Sequence, residues 1–96
     1  MKKTVIISLG GSQIIKNGEI NVSYLLKFRK IINKHKLRYK FVIVTGGGSV
    51  ARMYMSGLQK IRGSVKLQSF AGISVTRTNA RFMSYFFGSD NLDGVP

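Results

Sequence analysis

The sequence predicts an α/β fold built on a mainly parallel sheet, and three observations carry that expectation. Thr4 to Leu9 and Phe41 to Val44 are continuous apolar, β-branched runs, the pattern of strands buried on both faces. Each run leads into glycine, Gly10-Gly11-Ser12 after the first and, past Thr45, Gly46-Gly47-Gly48-Ser49 after the second. Between them lies a stretch with apolar residues at helical spacing, so strand, helix and strand read as one βαβ core with a right-handed crossover.

The elements follow in order. After the first strand and its glycine turn, Gln13 to Ile15 and Glu19 to Val22 flank Lys16-Asn17-Gly18. Asn-Gly between short apolar runs predicts a small β-hairpin. Asn21 or Ser23 then caps a helix running to about Lys34. Leu25, Phe28 and Ile32, with Ile31 beside them, form its core-facing stripe, and Lys27, Arg29, Lys30 and Lys34 fill the solvated face. His35, between lysines, reads as part of a solvated helix end. Lys36 to Lys40 is a basic connector into the second strand. Ser49 is the expected N-cap of a helix to about Gln59. Gly63-Ser64 interrupts the pattern, and helix is expected again from Val65 or Lys66 to Phe87, with a bend near Gly72. Phe70, Ile73, Phe82, Met83, Phe86 and Phe87 give that helix an apolar surface suited to a core or a subunit interface. Gly88 suits the C′ position, and Ser89 to Pro96 reads as a polar, turn-like connection.

Composition bounds the function. The 96 residues suffice for one small domain, and 44% hydrophobic content supports a core. Two strands that expect neighbours on both sides do not complete a sheet, so residues 1–96 read as a single, incomplete domain. A net charge of +13 favours polyanionic partners, whether nucleotides, nucleic acid or anionic surfaces. There are no cysteines, which excludes disulfides and thiolate metal sites. The apolar run near Met1-Lys2-Lys3 is too short for a signal peptide, and no run reaches transmembrane length, so a cytoplasmic protein is expected. The carboxylates are Glu19, Asp90 and Asp93 alone. Between Ile20 and Ser89 there is none, which excludes a carboxylate pair or an all-protein cation cage there and leaves chemistry by positioning and positive charge.

The stretch from Phe41 to Arg52 concentrates the functional signal. A strand, a glycine turn and a helix start offer backbone N–H groups and a helix dipole to an anion. Arg52, one turn into that helix, adds a cation able to grip a phosphate in two places. A glycine run can equally be no more than a tight strand-to-helix turn, and that stretch alone leaves both readings open.

Taken together, the two glycine turns, the spacing of Arg52, and the later stretch Ala71-Gly72-Ile73-Ser74-Val75-Thr76-Arg77-Thr78-Asn79-Ala80-Arg81 resemble the amino acid kinase superfamily. The last stretch is similar to the Gly-Ile-x-x-Thr-Arg-x-Asn-Ala pattern of its uridylate kinases, especially the archaeal type. The resemblance covers nearly the whole chain. It implies the N-terminal, acceptor-side part of a three-layer α/β/α fold, in an enzyme that transfers the γ-phosphoryl of ATP to UMP in pyrimidine nucleotide biosynthesis. It implies ATP-phosphate contacts at Gly10, Gly11, Ser12, Gly48 and Arg52, with Arg52 as the catalytic cation. It implies UMP contacts at Gly46, Gly47, Ser69, Gly72, Thr76 and Asn79. Mg²⁺ would arrive with the nucleotide, with no metal ligands in this chain.

The sequence departs from the family pattern in three ways. Ser69 stands where the family usually has an aspartate that contacts the acceptor ribose. No lysine stands near Ser8 in the first strand. The family domain is about twice this long, its second half carrying the adenine site, so the chain alone is expected to be inactive and to need that half or a homo-oligomeric partner. Two other readings compete: a non-catalytic nucleotide-binding remnant or assembly subunit, and a basic nucleic-acid-binding module.

Overall fold

The computed structural model describes residues 1–88. The expected connection from Ser89 to Pro96 lies outside them. Strand β1 spans Lys3–Leu9 and β4 spans Tyr39–Thr45, with helices α2 (Val22–His35), α3 (Gly48–Lys60) and α4 (Val65–Phe87). A short helix α1 (Gly11–Ile14) and a hairpin of β2 (Ile15–Lys16) and β3 (Glu19–Ile20) complete the described elements. β1 and β4 pair in parallel, Lys3 opposite Tyr39 through Leu9 opposite Thr45. The α/β class and its parallel βαβ core are therefore as the sequence implied.

The hairpin forms where Asn-Gly placed it. Asn17 and Gly18 both have positive φ, 54° and 76°, as a two-residue turn of primed type requires. Its first arm is shorter than expected. Gln13 and Ile14 belong to α1, because the Gln13 side chain folds back onto the chain: Gly10 N–H donates to Gln13 Oε1 at 3.0 Å, and Gln13 N–H donates to the Gly10 carbonyl at 3.0 Å. That local pair stabilises a helical turn over an extended arm.

The strand faces differ from expectation as well. Leu9 and Ile43 share one face, on which α1, α2 and α4 pack through Ile14, Leu25 and Met83. Leu9, Ile14 and Leu25 are fully buried, each contributing about 1.5–3 kcal/mol. On the opposite face Ile6 is 69% exposed and Val44 52%. Of the three layers implied by the resemblance, the described residues supply a sheet and one helical layer. The second apolar face has nothing over it among them.

α3 starts at Gly48, one residue before the expected Ser49 cap, with Gly47 as N-cap and no side-chain cap bond. Ser64 caps α4 through its Oγ, which accepts from Leu67 N–H at 3.1 Å. α4 runs unbroken through Gly72 to Phe87, and Gly88 closes it at φ 107°, donating back to the Ser84 and Tyr85 carbonyls. Asn21 occupies the α2 N-cap position without a side-chain bond.

On α2, Leu25 and Ile32 are buried and Phe28 half-buried, whereas Ile31 is exposed. Arg29, expected on the solvated face, is turned inward. It donates to the Phe86 carbonyl at 2.8 Å and lies 4.5 Å from the Phe86 ring centre. The carbonyl-rich end of α4 favours a cation there, and the contact ties α2 to the far end of the chain.

Candidate functional site

The two glycine turns lie against each other. A Cβ placed on Gly11 would meet the backbone of Gly47 and Gly48, including the Gly47 carbonyl oxygen at 2.7 Å. One placed on Gly48 would lie 2.7 Å from both Gly11 C and Ser12 N. Neither neighbour can rotate away, because both are main chain. Gly48 also has φ 62°, which favours glycine. The parallel register causes this meeting: Leu9 sits opposite Thr45, so both strands end at the same level and both turns leave from the same edge.

The cradle that results is mostly backbone. The first N–H groups of α3, those of Gly48, Ser49 and Val50, have no partner within the helix, while Ala51 N–H reaches the Gly47 carbonyl at 3.3 Å. On the other turn the Gly10 N–H is occupied by Gln13. Arg52 is exposed and falls on the same helical face as Gly48, one turn on. The junction of the two turns thus carries the first N–H groups of α3, with Arg52 one turn along that helix.

The later sequence stretch reaches the site through α4. Asn79 Nδ2 donates to the Gly46 carbonyl at 2.8 Å. Thr45 Oγ1 donates to the Thr76 carbonyl at 2.8 Å, and the Thr76 hydroxyl itself donates to its own helix at Ile73. Thr76 Cγ2 lies 3.6 Å from where a Gly47 Cβ would stand. Thr76 and Asn79 are thus gathered at the triple glycine. Ser69 and Gly72 are not: Ser69 lies seven residues before Thr76 on α4, about 10 Å along the helix, and is exposed. Gly72 faces Met55 of α3, whose sulfur would be 3.1 Å from an added Cβ, so its lack of a side chain serves close helix packing. Gln13 and Thr45 are participants that sequence reading missed. Thr45 had a visible signal, a hydroxyl closing an otherwise apolar strand.

A groove of about 830 Å³ runs along β4 and α4 between Lys40, Val42, Val44, Arg77 and Phe87, and Thr45 and Thr76 line it too. No helix among the described residues is long and apolar enough to cross a membrane.

Parallel strands that end together in glycine turns, with helices starting from them, define an α/β domain of the kind that binds ligands at the carboxyl ends of its strands. The chain belongs to the amino acid kinase family, whose model matches residues 3–96. It is similar to the uridylate kinases of three archaea. It is 37% identical to that of Thermoplasma acidophilum over 91 residues, 95% of this chain and 39% of the relative. It is 40% identical to that of Thermoplasma volcanium over 80 residues, 83% and 34%. It is 32% identical to that of Methanothermobacter thermautotrophicus over 92 residues, 96% and 40%. The chain therefore spans about two fifths of the length of the relatives it matches.

Proposed function

We propose that the chain is the acceptor-side portion of a uridylate kinase-like phosphotransferase, which takes the γ-phosphoryl of ATP onto UMP and gives UDP. The observation that carries this reading is the direct contact of the two glycine turns. Phosphoryl transfer requires two phosphates held in line with the spread negative charge stabilised. Two abutting sets of backbone N–H groups, one donor-side and one acceptor-side, suit that task. Gly10, Gly11 and Ser12 would take ATP phosphates, with Gly48 and Arg52 at the junction. Gly46, Gly47 and Thr76 would face UMP, with Asn79 behind them. Ser69 and Gly72 sit farther along α4, where Ser69 could reach only the nucleoside end of an acceptor.

The chemistry assigned to this chain's residues is binding and charge neutralisation. The N–H groups of α3 and the Arg52 guanidinium would lower the cost of charge developing on the transferred group. Glu19 is the one carboxylate among the described residues, and no group of three or more metal-ligating side chains gathers there. These described residues do not suit a resident metal; a divalent cation would come with the nucleotide, and no step is assigned to it.

The chain alone is expected to bind UMP and not to turn it over. The test is a chimera in which this chain replaces the matching segment of the Thermoplasma acidophilum uridylate kinase. A folded chimera that forms UDP from UMP and ATP, and loses that activity with Arg52→Ala, supports the reading. A folded chimera that makes no UDP refutes it.

A further inference from the structure

Gly46 is held from both sides. Its N–H donates to the Leu9 carbonyl at 3.0 Å, and its carbonyl accepts from Asn79 Nδ2 at 2.8 Å. One residue earlier, the Thr45 hydroxyl donates to the Thr76 carbonyl at 2.8 Å. Two side-chain bonds thus join the end of β4 to one turn of α4.

Asn79 is conspicuous in its surroundings. It is 3% exposed, and its neighbours on the same helical face, Val75 and Met83, are buried and apolar. A primary amide in such a stripe is costly unless bonded. Its amide group meets that requirement at the first peptide of the triple glycine. Glycine backbone is otherwise the most free to reorient, and a turn that swings cannot keep its N–H groups aimed. The peptide unit is planar and trans, so the carbonyl of Gly46 and the N–H of Gly47 point in opposite directions. A Gly46 carbonyl held toward α4 therefore aims the Gly47 N–H away from α4.

We infer that Asn79, supported by Thr45, is a positioning residue that sets the direction of the Gly47 N–H for an acceptor phosphate. It acts through Gly46 and not by touching the nucleoside. The inference rests on the phosphate-site reading above and assigns the specific means by which that site is kept in shape.

The test is amide-resolved NMR of the 96-residue chain, first without ligand and then titrated with UMP and, separately, inorganic phosphate. Without ligand, the Asn79 side-chain amide is expected to exchange slowly and to show through-space contact with Gly46. Asn79→Ala is expected to move the Gly47 and Gly48 amide signals. It should weaken UMP and phosphate in the same proportion, each about tenfold. Asn79→Asp, assayed at a pH where its carboxylate is ionised, keeps the volume but cannot donate, and is expected to weaken both at least as much. Thr45→Val should weaken both several-fold and Thr45→Ser restore them, which a general loss of packing would not reproduce. Three results overturn the inference: no Asn79–Gly46 contact in the wild-type chain, unchanged affinities in Asn79→Asp, or a loss confined to UMP with phosphate untouched. The last would make Asn79 a nucleoside contact. A wild-type chain that binds neither ligand refutes the phosphate-site reading instead. The positioning role is then judged by the contact and by the glycine signals, and unmoved Gly47 and Gly48 signals in Asn79→Ala refute it.

Discussion

Gly11→Ala tests the contact between the two turns directly. The added methyl would run into the main chain of Gly47 and Gly48, with the Gly47 oxygen at 2.7 Å where ordinary contact begins at 3.4 Å. Backbone cannot step aside as a side chain can, so the turns must separate and β1 must shift against β4. Forcing one extra carbon into a filled space costs about 1–3 kcal/mol. In a domain of this size each kcal/mol lowers the melting temperature by about 4–8 °C. Gly57→Ala is the matched control. It lies inside α3 with nothing within 4 Å of an added Cβ, and should stabilise by about 0.5–1 kcal/mol through helix propensity. Urea denaturation of both variants reads the two signs. If Gly11→Ala is as stable as wild type and binds UMP equally, the turns do not abut and the composite cradle is wrong.

Three further outcomes follow from the same geometry. Arg29→Ala loses the bond to the Phe86 carbonyl and the contact with its ring, and should cost about 1.5–3 kcal/mol in chemical denaturation; a neutral result would return Arg29 to the solvated face. Arg52→Ala removes an exposed cation, so stability should stay within about 0.5 kcal/mol while calorimetry shows UMP affinity falling about tenfold. Ile6→Thr, on the uncovered sheet face, should change stability by no more than about 0.5 kcal/mol, whereas a loss of several kcal/mol would mean that the face is covered.

What was legible in the sequence was local. The strands, the Asn17-Gly18 turn and the Gly88 terminus each depend on a few consecutive residues, and each formed where composition placed it. What was not legible depended on distant partners or on competing local bonds. Ile6 and Val44 belong to runs that suit strands covered on both faces, but coverage is a property of neighbouring layers. Arg29 falls at a solvated helical position and is turned inward by Phe86, fifty-seven residues away. Gln13 sits in a plausible hairpin arm and is captured by Gly10. The site residues divide in the same way. The glycine turns announced themselves, whereas the Thr45 and Asn79 bonds link positions 31 and 33 residues apart, and only the folded chain brings them together. Gly72 matched a family position, yet its contact with Met55 gives it a packing role.

The most direct test of the account maps UMP onto the 96-residue chain by amide-resolved NMR, with CMP and inorganic phosphate as controls. Saturable shifts are expected at Gly46 through Arg52 and at Thr76 through Asn79, tighter for UMP than for phosphate. A folded chain whose glycine-turn signals ignore UMP, or respond to UMP and phosphate alike, would contradict it.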